Sequence, residues 1–350
     1  MNLPKSINSG KCSNGRVVLY NIIESDVNGF SMGIEMLNLI NGRKSLESRG
    51  RTIVDASSAI NNIGRGENKM IKGLTRDGLG KLENLETHVL LAAKNGIDVV
   101  DTDGDALREL IEDKGKEGAK QFLQEHHVKI GAIQLPVNWG NSDEAFYNDL
   151  STLLEDVKLA KAFGCKTFNT FFMPSTDQIP VQHLMTLTNR IKICARMIKG
   201  YGCNIALEFV GPYHMRRLFK NEFIWDLPTT VDWVDMIDEV NVGVLLDSIH
   251  WHTSGGKIED ITAIDPAKIA YVHINDAPDL ATNEILDNGR VYPGEGIIDL
   301  VGFLNALKEI GYDGVVSQEV LTQEEPEESS EILAKKSGQA MAEVFQKAGL

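Results

Sequence analysis

The chain has 350 residues and a formal net charge of -15, with apolar residues making up 42% of the sequence. That apolar share is ordinary for a globular protein with a substantial core, and the length suits one large α/β barrel or two smaller domains. A surface this acidic repels nucleic acid and anionic membranes, and neither is expected as a partner.

The first 68 residues are rich in Asn, Gly and Ser, with apolar patches VVLYNII and MGIEMLNLI. They read as an N-terminal extension or arm that packs on the remainder or on a neighbouring subunit, and no chemistry is assigned to them. No apolar leader with a small-residue cleavage site opens the chain, and no apolar run reaches the roughly 20 residues needed to span a bilayer. The expectation is a soluble cytoplasmic protein, forming a homo-oligomer. The four cysteines, Cys12, Cys165, Cys194 and Cys203, fit no zinc template and read as free thiols, buried where Cys165 and Cys203 open apolar runs.

From residue 69 onward, short apolar runs alternate with longer amphipathic stretches. MIKGLTRDG precedes LETHVLLAAKNG, IDVVDTD precedes DALRELIEDKGKEGAKQFLQEHH, and VKIGAIQLP precedes DEAFYNDLSTLLEDVKLAKAFG. KTFNTFFMP is followed by VQHLMTLTNRIKICARMIKGYG, and NIALEFVGP by a long loop and TTVDWVDMIDEV. VGVLLDSIH precedes a weaker helical stretch near KIEDITAI, IAYVHINDAP precedes DLVGFLNALKEIGY, and GVVSQEVL precedes the closing SEILAKKSGQAMAEVFQKAG. Continuous rather than alternating apolar strands signal burial on both faces, as a parallel sheet requires. Glycine closes the helical runs KNG, AFG and GYG, where a left-handed cap costs it little. Eight β–α units predict a (β/α)8 TIM barrel over residues 69–350, in preference to a doubly wound sheet, for which a G-x-G-x-x-G turn after the first strand is missing.

In such a barrel the C-terminal ends of the strands form the active site. Strands five to eight each carry an ionisable residue inside an apolar run: Glu208 in IALEFV, Asp247 in VLLDSIH, His273 in AYVHIND and Glu319 in VVSQEVL. Burying three carboxylates together is very unfavourable without a compensating cation, and no Lys or Arg lies inside those runs. A divalent metal meets the requirement. Three carboxylates and one imidazole suit Mn²⁺, Mg²⁺, Co²⁺ or Zn²⁺, and the excess of oxygen donors favours Mn²⁺. His250, expected at the end of strand six, and Arg290, in the loop GRVYPGEGIIDL, are candidate substrate contacts, with the glycines of PGEG allowing close backbone approach to a ligand. Trp139, Phe172 and Trp251 are candidates for stacking on a sugar ring, Gln134 and Asn169 for hydroxyl binding. The acidic run EEPEE at 324–328 reads as a solvated loop.

The ordered set LEFVGP, LLDSIHWH, VHINDAP, RVYPGEGIIDL and GYDGVVSQEVL resembles the xylose isomerase-like TIM-barrel superfamily of sugar isomerases and epimerases, over about residues 69–350. The resemblance implies one metal held by Glu208, Asp247, His273 and Glu319, with the two glutamates as the acid–base pair and His250 as a substrate contact. The arginine that ketose 3-epimerases place shortly after the metal histidine is replaced here by NDAPDL. The implied activity is isomerisation or epimerisation of a sugar or polyol carbonyl compound by proton abstraction next to the carbonyl. The alternative is a metal-dependent lyase or dehydratase, acting on an inosose or an oxidised glycoside, alone or with a partner subunit. Phosphodiester hydrolysis of the endonuclease IV kind is disfavoured by the charge and by the single histidine in the ligand set.

Overall fold

The computed structural model describes residues 70–350. The expected N-terminal arm, its boundary at residue 68 and Cys12 lie outside the described residues.

Eight parallel strands close into a barrel. They are β1 (Ile71–Leu74), β2 (Val99–Thr102), β3 (Lys129–Gln134), β4 (Thr167–Phe171), β6 (Asn204–Glu208), β8 (Val242–Asp247), β9 (Ile269–Ile274) and β10 (Val315–Gln318). Each pairs with its sequence neighbour in the barrel, and β1 closes the ring against β10, with Ile71 opposite Val315. β8 is buried along its whole length, consistent with a strand covered on both faces. The fold class predicted for this part of the chain is therefore observed.

The outer layer contains α1 (Leu85–Lys94), α2 (Gly104–Lys114), α3 (Lys116–Glu125), α4 (Asp143–Phe163), α5 (Pro180–Lys199), α6 (Tyr213–Arg216), α7 (Leu227–Ile237), α8 (Ser248–Thr253), α9 (Ile258–Thr262), α10 (Leu300–Ile310) and α11 (Ser330–Lys347). Short polar side chains start several of them: Asn84, Asp103, Ser142, Asp226 and Asp299 each accept a hydrogen bond from a first-turn amide. Gly164 ends α4 with φ 76°, the left-handed cap expected from AFG. Leu, Ile, Val and Phe side chains between strands and helices form the main core, and fully burying each contributes about 1.5–3 kcal/mol. Inside the barrel a smaller cluster of Ala132, Ala206, Leu245 and Tyr271 fills the lower layers.

The structure corrects the predicted elements in three places. DALRELIEDKGKEGAKQFLQEHH is two helices, because Gly115 takes φ 70° and ends α2. The sixth predicted strand stops at Asp247, and His250 lies in the short helix α8. The long loop after the fifth predicted strand carries β7 (Asn221–Glu222), which pairs antiparallel with β5 (Ser175–Thr176) at the edge of the barrel mouth. Cys165, Cys194 and Cys203 are buried free thiols, as expected. Glu324, Glu325, Glu327 and Glu328 are exposed in a loop.

Candidate metal centre

Glu208 ends β6, Asp247 ends β8, His273 lies near the end of β9, and Glu319 follows β10 by one residue. These four strands are consecutive around the barrel. Their register sets Asp247 beside His273 and His273 beside Ser317, which brings the four side chains to one rim. One ligand atom from each lies within 4.8 Å of the other three. His273 Nδ1 is 3.4 Å from Glu208 Oε1, 3.3 Å from Glu319 Oε2 and 4.0 Å from Asp247 Oδ2.

A cation fits this arrangement. Glu208 Oε1 and both ring nitrogens of His273 are buried without an aligned hydrogen-bond partner among the described residues. Such orphaned groups cost about 1–3 kcal/mol each unless something satisfies them. Nitrogen and oxygen donors converging on one point are what a divalent ion requires.

The protein supplies part of the charge compensation itself, from outside the four strand runs. Arg290 Nη1 donates to Asp247 Oδ2 at 2.9 Å and to Glu319 Oε2 at 2.7 Å. Its Nη2 donates to Asp287 Oδ1 at 2.8 Å, and its side chain is only 1% exposed. Arg290 is thus paired with three carboxylates and has no contact with Glu208 of this kind. Asn275 Nδ2 donates to both oxygens of Asp247, at 3.1 and 3.0 Å, and the Ile249 amide donates to Oδ1 at 2.7 Å. Sequence reading missed Asn275 and Asp287. Asn275 stands two residues after the metal-site histidine, in HIND, which is the one signal that could have found it.

Burial penalises charge throughout the centre, and the neighbours decide the outcome. Burial pushes the Glu208 carboxyl up from its ordinary range, opposed by His273. Burial acts on Glu319 in the same sense, but the charges of His273 and Arg290 outweigh it and hold Glu319 below the usual carboxylate range. Burial alone would lower His273; Glu319 and Glu208 reverse that and hold its imidazolium well above the ordinary histidine value. Two carboxyl groups at one site are therefore pushed in opposite directions.

These side chains form the floor of a cavity of about 390 Å³. His250 is buried in its wall, with Nε2 3.8 Å from both Glu208 Oε1 and Asp287 Oδ1. Gln134 and Asn169 also line it, as the sequence reading placed them, and Asn169 Oδ1 is a buried oxygen without a partner among the described residues. The three aromatic expectations need correction. Trp139, in the loop after β3, and Phe172, turned away from the cavity by alternation along β4, line a larger neighbouring groove and pack with Trp233. Trp251 packs on Phe303 at 5.4 Å instead. The aromatic ring at the cavity is Phe171, 53% exposed, one residue before Phe172. The PGEG turn is also reassigned. The amides of Gly294 and Gly296 both donate to Asp276 Oδ2 at 3.0 Å, so the close approach is to a buried carboxylate of the same chain. A Cβ on Gly296 would lie 2.5 Å from Asp276 Oδ1, which excludes larger residues there.

No helix among the described residues is long and apolar enough to cross a membrane. Residues 89–336 match the family described as xylose isomerase-like TIM barrel. The inosose isomerase of Bacillus velezensis is 31% identical over 245 residues, which cover 69% of this chain and 85% of that protein. The inosose isomerase of Halalkalibacterium halodurans is 30% identical over 268 residues, covering 75% and 92%. Among solved structures, a xylose isomerase domain protein from Alicyclobacillus acidocaldarius superposes with TM-score 0.74 at 31% identity, over 80% of this chain and all of that one. The IOLI protein, solved with a zinc atom bound, superposes with TM-score 0.69 at 27% identity, over 80% and 99%. With fold, rim chemistry and sequence in agreement, the chain belongs to the xylose isomerase-like TIM-barrel family and is an enzyme of the isomerase and epimerase kind.

Proposed function

We propose that this chain is a divalent-metal-dependent isomerase or epimerase that moves a proton next to the carbonyl of a sugar or polyol, with inososes and related cyclic keto-polyols as its first candidate substrates. The observation that carries the reading is the pair Glu208 and Glu319, set about His273 Nδ1 at 3.4 and 3.3 Å on the floor of a polar cavity. The likeness to inosose isomerases supports the substrate class.

Glu208, Asp247, His273 and Glu319 would hold the ion, and the excess of oxygen donors makes Mn²⁺ the first choice over Mg²⁺, Co²⁺ or Zn²⁺. When bound, the cation supplies Lewis-acid polarisation of a carbonyl and charge compensation for the carboxylates.

The chain's own residues divide the remaining work. Glu319, held ionised by the Arg290 guanidinium that donates to its Oε2 at 2.7 Å, accepts the proton from the carbon beside the carbonyl. The electron pair left on that carbon moves toward the carbonyl oxygen. Glu208, whose carboxyl is pushed up by burial, is suited to return a proton to the other carbon or the other face. His250 donates to a substrate oxygen from the wall. Arg290 lines the cavity, but its guanidinium is committed to Asp247, Glu319 and Asp287, so its contribution to substrate binding is to fix those carboxylates.

The test is incubation of metal-loaded enzyme in D₂O with inososes, ketoses and 3-keto-glycosides, following deuterium and product by NMR. Deuterium at a carbon next to the carbonyl in an isomerised product is expected. Elimination products would move the assignment to a lyase. A purified protein with no bound metal and no affinity for added Mn²⁺ or Zn²⁺ would sink the reading.

A further inference from the structure

Asp101 takes no part in the chemistry described above, yet it is the carboxylate nearest the far side of the metal-site histidine. It lies on β2, and β2 and β9 are not neighbours in the barrel, so it reaches His273 across the barrel interior. One carboxylate oxygen is fully used: Asp101 Oδ1 accepts from the Ala132 amide at 2.9 Å and from the Tyr271 hydroxyl. The other, Oδ2, has no hydrogen-bond partner among the described residues and sits 3.8 Å from His273 Nε2, which also lacks one. Asp101 and His273 are each about nine-tenths or more buried. The neighbourhood is shaped around this carboxylate. Gly131 lies beside it, and a Cβ there would come within 2.6 Å of Asp101 Oδ1 and collide with the Tyr271 hydroxyl.

His273 therefore presents its two nitrogens to two different places. Nδ1 lies within 4.0 Å of the carboxylates of Glu208, Glu319 and Asp247, while among carboxylates Nε2 lies within that distance of Asp101 only. An imidazole can use Nδ1 as a lone-pair donor only while its proton sits on Nε2. Asp101 Oδ2, whose partner oxygen is anchored, is the one carboxylate oxygen recorded within 4.0 Å of Nε2; at 3.8 Å a small ring shift brings it into hydrogen-bond range, where it fixes that choice.

We infer that Asp101 is a positioning residue: it holds the proton of His273 on Nε2 and so presents Nδ1 to the cation site. The inference rests on the metal reading above. Metal-bound histidines commonly donate their other N–H in this way, and loss of the acceptor typically weakens metal binding about 10–100-fold.

The experiment uses the full chain labelled with ¹⁵N-histidine and loaded with Zn²⁺, a diamagnetic ion. In the wild type, the His273 spectrum should show Nδ1 without a proton and Nε2 carrying one that exchanges slowly with solvent. Zinc affinity, measured by competition with a chelating dye, should fall about 10–100-fold in Asp101→Asn. In the same variant the Nε2 proton should exchange faster. Tyr271→Phe, which keeps the carboxylate and removes only its anchor, should show the smaller loss of the two. Unchanged zinc affinity and an unchanged Nε2–H signal in Asp101→Asn would overturn the inference. A wild-type spectrum with the metal on Nε2 would overturn it too, and that result stands even if the variant fails to fold. A wild-type protein that binds no zinc removes the metal reading itself, which is a different result from either.

Discussion

Two sides of the cavity at the barrel mouth are built from different materials, with Arg76, Asp77, Asp101 and Asp103 from the ends of β1 and β2 completing its lining. β6, β8 and β9 present Glu208, Asp247 and His273, all buried, and the half-buried Glu319 follows β10; Arg290 is tied to Asp247 and Glu319, and Asn275 to Asp247. β3 and β4 present Gln134, Asn169, Thr170 and Phe171, neutral side chains that are exposed or half-buried. The cavity lies between them. On the charged half Asp247 and Glu319 are held by Arg290, and Asp247 also by Asn275, while Glu208 Oε1 and both His273 nitrogens have no hydrogen-bond partner among the described residues; fixed charges of the first kind are the preorganisation that charge development in a reaction demands. On the neutral half Thr170 Oγ1 accepts from Trp139 Nε1, and no side-chain hydrogen bond is made by Gln134 or Asn169 among the described residues, which leaves those two groups free for a ligand. The difference suggests that chemistry resides on one side and recognition on the other.

The largest expected effects fall on the charged half. Glu319→Gln and Glu208→Gln each remove one partner in proton transfer, and solvent deuterium uptake should drop by roughly 10²–10⁴. The two losses should not add fully, since the residues act as a unit. Stripping the metal with a chelator should abolish uptake and lower the melting temperature. At a hundredfold excess of ion over its dissociation constant, the restored stability is about 2.7 kcal/mol. Calorimetry with and without Mn²⁺ or Zn²⁺ measures it, and a melting temperature indifferent to both ions would break the division at its source.

Arg290→Met comes next. It strands Asp247, Glu319 and Asp287 in a buried site, and removing one partner of such a cluster costs about 3–5 kcal/mol. Chemical denaturation of the metal-free variant reads this directly. Added metal should recover part of the loss, because it replaces the same charge.

The contrast between the halves also explains what the sequence revealed. Strands five to eight of the predicted order were legible because an ionisable residue in an apolar run is conspicuous, and four such runs specify one end of one barrel. Asp287 and Asn275 were not, since an Asp in a loop and an Asn in a polar tetrad look like ordinary surface residues. Asp101 was missed although it lies in IDVVDTD, because an acidic residue at a strand end before more acidic residues reads as solvated. Phe171 against Phe172 shows the limit on the neutral half. Two adjacent aromatics point to opposite faces, and only the register decides which one meets the cavity. The stretch DALRELIEDKGKEGAKQFLQEHH reads as one amphipathic run, and only the positive φ of Gly115 divides it into two helices.

Stability away from the metal centre gives a control of intermediate size. His88, on α1, is buried, and its imidazole is pushed down to about 4, first by burial and then by the charge of Arg76. In the unfolded chain it titrates near 6.5. Between those values the unfolded state binds the proton and the folded state does not. Stability is then complete above pH 6.5 and falls as pH drops toward 4, by about 3 kcal/mol over the window. His88→Phe should flatten that part of the pH–stability curve. The metal-dependent part, measured as the difference between loaded and stripped protein, should be unaffected by the substitution.

The smallest effects test the neutral half, and they decide whether the comparison means what it suggests. Gln134 is exposed, so Gln134→Ala should leave stability within about 0.5 kcal/mol. Asn169 Oδ1 is a buried oxygen without a partner, a group that a substrate hydroxyl could satisfy. Removing either side chain deletes about one hydrogen bond, worth near 1 kcal/mol, which corresponds to roughly a fivefold loss in binding. If these residues only recognise substrate, that loss appears in KM with kcat nearly unchanged, because ground state and transition state lose the same contact. Asn169→Ala should show the larger change, as it also removes a buried polar group shaped for a ligand. A fall in kcat with KM constant would mean that the neutral half holds the transition state as well, and the separation of chemistry from recognition across the barrel mouth would be wrong.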